Sequence, residues 1–252
     1  MIITNPVSLA APATVSTASQ KRLVIVGATG MVGGYALRYA LDNPAIESVT
    51  VIGRRKLGML HPKLIEVSHQ DFADCSTLAV PLENQDAVIF CLGAYTGVVS
   101  DVELRTITVD YTIEFARVLR SSSPYAEFSF LSGSGADPTG QSRIAFARYK
   151  GETEKSLLVA GFPRVYIFRP AYIYPVEPRK EPNITYRFMR WIYPTFRTLF
   201  PNQVIRADDL ASAMVDVVLF GTADGPIFEN RDIQTMVRPL HQRRTDQTKG
   251  RI

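Results

Sequence analysis

A glycine-rich turn directly after a short apolar run constrains this chain more than any other feature. The run KRLVIVG at residues 21–27 is rich in β-branched residues, and GATGMVG occupies residues 27–33. An unbroken apolar run of this kind is typical of a strand buried on both faces. Glycines at this spacing allow a tight turn, a close approach of the backbone to a pyrophosphate, and close packing of the next helix. The pattern therefore predicts a β-α-β unit whose helix N-terminus binds a dinucleotide.

Strand and helix patterns alternate along the rest of the chain. Five further apolar stretches have the composition of strands, at residues 48–53, 64–69, 86–93, 128–133 and 165–170. Helical patterns lie between several of them, at residues 31–41, 104–118 and 142–160. This order predicts an α/β fold, a doubly wound parallel sheet of the Rossmann-like type with right-handed crossovers and helices on both faces.

The two ends of the chain differ from its middle. Residues 1–20 contain no charged side chain, which predicts a flexible leader rather than a secretory signal or a mitochondrial transit peptide. Residues 231–252 hold six Lys/Arg and two Asp/Glu, so this basic tail carries the whole net charge of +4. We expect a single NADP-binding domain over residues 21–230, with a small C-terminal substrate-side cap around residues 175–205.

The aromatic segment at residues 183–200 has three interpretations. It combines six aromatic residues with three arginines and is interrupted by Pro194. A helix pair that covers the end of the sheet, a substrate lid with an aromatic lining, and a membrane-surface segment all fit this composition.

The composition excludes several classes of protein. Apolar residues make up 46% of the 252 residues, which is too many for a disordered protein. Cys75 and Cys91 are the only cysteines, so a disulfide scaffold is excluded, and the three histidines have no metal-ligand spacing with them. Residues 1–230 carry as many acidic as basic side chains, which gives little support to nucleic-acid binding. The sequence contains no run of about 18 apolar residues, so it predicts no membrane-spanning helix.

The end of the second predicted strand indicates which dinucleotide is bound. An NAD site places an acid here for the ribose 2′-hydroxyl, but this chain has Gly53, Arg54, Arg55 and Lys56. Arginines favour a 2′-phosphate, so we expect NADP, and a solvated basic turn is the alternative. The residues expected to bind it are Gly27, Thr29, Gly30, Met31, Val32, Gly33, Arg54, Arg55, Asp71, Phe72, Leu92 and Gly93.

Seven stretches together resemble the extended and atypical short-chain dehydrogenase/reductases. The closest likeness is to the branch of the Tat-interacting oxidoreductase and related fungal NAD(P)-binding proteins. The likeness spans residues 21–230 and is more specific for the fold and for dinucleotide binding than for the substrate. The matching stretches are GATGMVG (27–33), GRR (53–55), CLGAYTG (91–97), FLSGSGAD (130–137), KGETEK (150–155), FRPAYIY (168–174) and IFEN (227–230).

The resemblance implies a set of catalytic residues. In the family a serine follows the fifth strand, and a Tyr-x-x-x-Lys pair on the next helix shares one helix face. The ammonium holds the nicotinamide ribose and lowers the pKa of the phenol, which passes a proton to a carbonyl oxygen. The lysine corresponds to Lys150, and the serine corresponds to Ser132 or Ser134. The resemblance also adds Lys150, Pro170 and Ala171 to the residues that bind the cofactor.

The tyrosine of that pair is absent, because Phe146 stands four residues before Lys150. Tyr149 lies one residue before Lys150, about 100° around the helix. It acts as a shifted acid only if the helix is distorted, and otherwise it is a packing or surface tyrosine. The other hydroxyl groups that could reach the nicotinamide, each with a packing role as the alternative, are those of Tyr95, Tyr172 and Tyr174.

Three functional hypotheses follow. The first is an NADP-dependent oxidoreductase that acts on a small apolar carbonyl compound or alcohol, slowly or in a specialised way because Phe146 cannot donate a proton. The second is an isomerase, dehydratase or cyclase with NADP as a structural ligand, and the third is a dinucleotide-binding regulatory protein. We expect a cytoplasmic protein with a small-molecule substrate, no nucleic-acid partner and no integral membrane segment. Members of this family often pair through exposed helix faces, so a homodimer is one expected assembly.

Overall fold

The central sheet of the computed structural model lies within residues 20–94, 98–177, 201–222 and 225–237, the ranges that the structure describes. The strands in these ranges are β1 (Lys21–Val26), β2 (Ile46–Gly53), β3 (Leu64–Ser68), β4 (Ala87–Phe90), β5 (Glu127–Leu131), β6 (Val165–Arg169), β7 (Tyr172–Tyr174), β8 (Val204–Arg206) and β9 (Ile227–Glu229). Seven of them form one sheet in the order β3-β2-β1-β4-β5-β6-β9, while β7 and β8 form a separate pair. Every neighbouring pair is parallel, so the predicted doubly wound α/β fold is confirmed.

Helices cover both faces of the sheet. The α-helices are α1 (Met31–Asp42), α2 (Asp101–Arg105), α3 (Tyr111–Ser122), α4 (Ala145–Val159) and α5 (Ala207–Phe220), and residues 230–237 are also helical. Short 3₁₀ turns occupy Ser76–Leu78 and Pro201–Gln203. Among the described helices, none is both long enough and apolar enough to cross a membrane.

One predicted helix is less regular than its periodicity indicates. A π-helical segment, Thr106–Asp110, joins α2 to α3, where the sequence pattern predicts an uninterrupted helix. The hydroxyls of Thr112 and Thr153 both donate to the carbonyl oxygen of Thr108, at 2.8 and 3.0 Å. A backbone carbonyl bonded by side chains leaves the regular helical ladder, and wider turns of this kind are a local response to that competition.

Two hydrophobic cores lie on opposite faces of the sheet. Leu23 and Ile25 of β1 point towards α1 and α5, whereas Val24 and Val26 point towards α3 and its neighbours, and all four are fully buried. This alternation follows from the two-residue period of a strand. It explains why β1 carries no polar side chain between Arg22 and Gly27.

Several elements were not anticipated from the sequence. The short strands β7, β8 and β9 have no counterpart among the predicted elements, because runs of three residues give no clear periodicity. The 14-residue helix α5 was not predicted either. The leader, the aromatic segment and most of the basic tail fall on residues 1–19, 178–200 and 238–252, outside the described residues.

The strand order reverses between β1 and β4. Chain connections run from β1 outwards to β2 and β3 on one side, and from β4 outwards to β5 and β6 on the other. In open α/β sheets, ligands bind at such a switch point, beyond the carboxyl ends of the strands. The glycine turn after β1 lies at this edge.

Candidate functional site

The turn between β1 and α1 requires glycine at two positions. Gly27 has a φ of +86°, and a side-chain Cβ there would lie 2.8 Å from the carbonyl carbon and oxygen of Cys91. A Cβ on Gly33 would lie 2.3 Å from the carbonyl oxygen of Gly27, which in turn accepts a 2.9 Å hydrogen bond from the amide of Gly30. The first turn of α1 contains no acidic residue, and no side chain caps it. The N-terminus of this helix can therefore accept an anion.

Two adjoining cavities, of about 340 and 510 Å³, form a continuous cleft over this turn. Arg54 and Arg55, on the exposed turn after β2, line both cavities. The guanidinium of Arg55 lies 3.3 Å from the hydroxyl oxygen of Thr29. The carbonyl of Arg54 accepts a 2.8 Å hydrogen bond from the side chain of Gln70. The guanidinium of Arg55 thus lies beside the glycine turn, while Gln70 bonds to the backbone of Arg54.

The cleft brings together most of the residues expected to bind the dinucleotide. The predicted residues that line it are Gly27, Thr29, Gly30, Met31, Val32, Gly33, Arg54, Arg55, Phe72, Leu92 and Gly93. Asp71 is exposed and its carboxylate accepts a 2.9 Å hydrogen bond from the amide of Ala73, so it stabilises its own turn. Pro170 and Ala171 lie in the loop after β6, where their backbone groups bond to Ser134 and Asn230.

Lys150 is buried behind the other end of the cleft. Its ammonium donates a 2.7 Å hydrogen bond to the carbonyl oxygen of Leu131, at the end of β5. It also lies 4.6 Å from the ring centroid of Phe130 and 6.0 Å from that of Phe146. Burial lowers the pKa of Lys150 to about 8, although the charge of Glu154 opposes the change.

Phe146 occupies the position on α4 that the sequence predicts for it. It shares a helix face with Lys150, as the four-residue spacing requires. Its ring packs directly on Gly133, where a Cβ would lie 2.8 Å from the ring carbon Cζ. The phenyl ring is half-buried, and Phe146 is not among the residues that line the two cavities.

The two candidate serines have different surroundings. Ser132 is buried, and its hydroxyl donates a short hydrogen bond to the carboxylate of Glu154. Ser134 is exposed, and its amide bonds to the carbonyl of Pro170 at 2.8 Å. The proton of Ser132 is therefore committed to a carboxylate, whereas the hydroxyl of Ser134 lies at the surface.

The candidate tyrosines do not converge on the cleft within the described residues. The hydroxyl of Tyr149 donates a 2.7 Å hydrogen bond to the carboxylate of Asp101 in α2, so the tyrosine has the packing role that the helix geometry favours. In β7, Ile173 lines the cleft, and its neighbours Tyr172 and Tyr174 point to the opposite side of that strand. Tyr95 lies outside the described residues.

Some residues of the site were missed by sequence reasoning. Cys91, Leu131 and Ile173 also line the cleft. Burial raises the pKa of the Cys91 thiol to about 12, so this group stays protonated at neutral pH. The position of Cys91 directly after β4 was a usable signal, because residues at the carboxyl ends of both switch-point strands face the ligand.

Comparison with known proteins identifies relatives in animals and fungi. No protein-family model matches the chain. Protein HTATIP2 of Rattus norvegicus is 28% identical over 155 residues, and protein fmp52, mitochondrial, of Emericella nidulans is 29% identical over 157 residues. The matches cover 61% and 60% of this chain, and 63% and 66% of the relatives. The chain thus spans less than two thirds of the length of the relatives it matches.

Solved structures share the fold at low sequence identity. The Bordetella bronchiseptica enzyme WbmH in complex with NAD⁺ has a TM-score of 0.62 at 17% identity, covering 82% of this chain and 74% of that one. UDP-N-acetylglucosamine 4-epimerase of Methanobrevibacter ruminantium has a TM-score of 0.62 at 16% identity, covering 88% and 83%. The seven-stranded parallel sheet and its glycine turn define the Rossmann-type fold that these solved structures share. In sequence, the chain is a homologue of protein HTATIP2 and of the fmp52 proteins, with matches that cover 61% and 60% of its length.

One expectation is wrong on this comparison. The chain was expected to be cytoplasmic, but its fungal relatives are named as mitochondrial proteins. The expectation depended on the absence of charge in residues 1–20, which tests only one kind of targeting signal.

Proposed function

We propose that the protein is an NADP-dependent oxidoreductase that acts on a small apolar carbonyl compound or alcohol. The observation that carries the proposal is the single cleft that joins the glycine turn and the Arg54–Arg55 pair to the end of β5, behind which Lys150 lies. Solved structures with the same fold include enzymes in complex with NAD⁺, which supports a nicotinamide dinucleotide as the ligand class.

The residues of the cleft fit this ligand. Gly27 and Gly33 keep the surface above the N-terminus of α1 free of side chains, as a pyrophosphate requires. Arg54 and Arg55 offer planar donors for a phosphate at the end of β2, where an acid would favour an unphosphorylated ribose. Lys150 supplies an ammonium for the nicotinamide ribose at the far end. When bound, the dinucleotide supplies or accepts a hydride.

The protein must then exclude water and handle a proton. Leu131, Ile173 and Ala94 line the cleft around its reaction end, so this part favours an apolar substrate. Phe146 cannot donate a proton, and Ser132 already donates its proton to Glu154. Among the described residues, the protic side chains left near this end include the ammonium of Lys150, the exposed hydroxyl of Ser134 and the thiol of Cys91, whose raised pKa makes it a poor acid. We infer that a water molecule held by Lys150 and Ser134 is the proton source.

A second candidate function has a specific observation in its favour. Phe146 replaces the phenol that the family pattern supplies as proton donor, and the hydroxyl of Ser132, one of the two candidate serines, is already bonded to Glu154. An isomerase, dehydratase or cyclase that keeps NADP as a structural ligand needs no net proton transfer to a carbonyl oxygen. The two functions differ in whether NADPH is consumed in proportion to product.

The test compares two dinucleotides and two sets of variants. We expect the double variant Arg54→Ala and Arg55→Ala to lower the affinity for NADPH about tenfold or more, because charge-assisted hydrogen bonds contribute about 1.5–3 kcal/mol each. The affinity for NADH, which lacks the 2′-phosphate, should fall less than about threefold by the same reasoning. Fluorescence titration of the reduced nicotinamide measures both affinities, and Lys56→Ala on the same exposed turn is the matched control. Equal weakening of NADPH and NADH would exclude a 2′-phosphate site.

A further inference from the structure

A buried carboxylate lies one helical turn after Lys150 on α4. Glu154 is 1% exposed, and both of its oxygens are bonded. Its Oε1 accepts hydrogen bonds from the hydroxyl of Ser132 and, at 3.0 Å, from Nε of Arg169. Its Oε2 accepts a 2.5 Å hydrogen bond from Nη2 of Arg169. A buried charge held by a paired guanidinium fork and a third donor has a fixed position.

The same carboxylate is linked to Lys150 through the end of β5. Lys150 bonds to the carbonyl of Leu131, and Glu154 accepts from the hydroxyl of Ser132, the next residue along the chain. Lys150 and Glu154 are four residues apart, so they stand on one face of α4. The last residue of β5 and the residue after it therefore bond to two consecutive turns of α4.

Glu154 is also the main source of negative charge for Lys150. The titratable groups that act on Lys150 among the described residues are Glu154 and Cys91. Burial raises the pKa of the Cys91 thiol, so this group is neutral at physiological pH. Arg169 lies on the far side of Glu154 and bonds outwards to the half-exposed Glu229, at 2.9 Å. Among the described residues, Glu154 is therefore the negatively charged side chain that stabilises the ammonium of Lys150, in addition to the carbonyl of Leu131.

We propose that Glu154 is a positioning residue that keeps Lys150 protonated and aligned with the end of β5. Arg169 holds the carboxylate in place, and Ser132 connects it to the strand. Ser132 is consequently part of this network and does not donate a proton to a substrate. The inference deepens the proposed function, since a protonated Lys150 is the form that binds the ribose of a dinucleotide.

The experiment reads the protonation of Lys150 directly, with no ligand present. Protein with isotope-labelled lysine side chains is titrated from pH 6 to 11 and followed by NMR, and Lys150→Arg assigns the Lys150 signal. We expect Glu154→Gln to move the Lys150 midpoint down by about one pH unit or more, because the nearest opposite charge is removed. Glu229→Gln, which removes only the outer partner of Arg169, should leave the midpoint unchanged.

A second variant keeps the test decisive if Glu154→Gln does not fold. Glu154→Asp retains the charge, so the midpoint of Lys150 should stay within about half a pH unit of the parent value. An unchanged midpoint in Glu154→Gln would overturn the inference. A fall in Glu154→Asp as large as that expected for Glu154→Gln would also overturn it, because packing rather than charge would then control Lys150.

The affinity for NADPH, measured across the same pH range, separates this inference from the proposed function. We expect the affinity of the parent for NADPH to fall as the pH rises through about 8, where Lys150 loses its proton. In Glu154→Gln the same fall in affinity should occur at a lower pH. Failure of the parent protein to bind NADPH would exclude the proposed function. The NMR result would still decide whether Glu154 controls Lys150.

Discussion

The end of the cleft over the glycine turn, here the phosphate end, and the end at the carboxyl end of β5, here the reaction end, are stabilised by different kinds of interaction. At the phosphate end, backbone atoms approach so closely that only glycine fits: a Cβ on Gly33 would lie 2.3 Å from the carbonyl oxygen of Gly27. At the reaction end, Lys150, Glu154 and Arg169 bury three ionisable side chains within one hydrogen-bonded network. The structure of the phosphate end depends on the absence of side chains at its glycines, and that of the reaction end depends on the pairing of buried charges.

This difference determines how each end responds to change. Steric overlap is short-ranged and independent of pH, so a substitution at the glycine turn acts in the same way under all conditions. Buried charges are costly unless they are paired, and their cost varies with pH and with the partner that is removed. The effects of variants at the two ends on stability should therefore differ in their pH dependence as well as in their size.

Removal of Arg169 should have the largest effect. Arg169→Ala leaves Glu154 buried without its guanidinium, and a broken buried ion pair typically costs about 3–5 kcal/mol. We expect the free energy of unfolding to fall by about this amount in urea denaturation. Glu229→Ala removes the half-exposed partner of Arg169 and should cost less than about 1 kcal/mol. Similar costs for the two variants would show that burial does not distinguish the two carboxylates.

A methyl group on Gly33 should have the next largest effect. Gly33→Ala forces the carbonyl of Gly27 to move, and we expect a loss of about 3 kcal/mol in stability, the upper end of the usual range for overpacking. NADPH affinity should fall with it, because the same backbone movement displaces the N-terminus of α1. Gly53→Ala is the control, since a Cβ there meets no atom within 4 Å. A stable Gly33→Ala variant with normal affinity would contradict the steric explanation of the phosphate end.

Lys150 should show the pH dependence that the glycine turn lacks. Its folded pKa of about 8 lies below the usual 10.5, so the unfolded chain binds more protons between these values and stability rises with pH there. Below pH 8 the full cost of burying the ammonium is present. We expect Lys150→Met to be more stable than the parent by about 2 kcal/mol at pH 7.

That advantage should disappear as the pH approaches 10.5, where the parent protein also buries a neutral amine. Urea denaturation at several pH values measures the difference between Lys150→Met and the parent. Gly33→Ala provides the contrast, because its loss of stability should be constant over the same range. A constant difference for Lys150→Met would show that the amine is not desolvated.

The sequence predicts the phosphate end better than the reaction end. The glycines and the two arginines follow from local rules, since a turn after a buried strand constrains the backbone regardless of distant residues. The reaction end depends on contacts between residues far apart in the chain, such as Ser132 with Glu154 and Tyr149 with Asp101. Glu154 and Arg169 lie in the matching stretches KGETEK and FRPAYIY, but nothing in the sequence indicates that the two side chains pair.

Phe146→Tyr should have the smallest effect on stability. The ring of Phe146 is half-buried against Gly133, and we expect the added hydroxyl to cost less than about 1 kcal/mol if the half-buried ring leaves it access to solvent. The variant restores the Tyr-x-x-x-Lys spacing with Lys150, so NADPH consumption with small carbonyl compounds should increase if proton donation limits the reaction. Phe146→Leu is the control, because it changes the ring without adding a donor. A large loss of stability in Phe146→Tyr would mean that the ring edge faces dry core, and the reaction end would then resemble the glycine turn, where packing rather than charge decides.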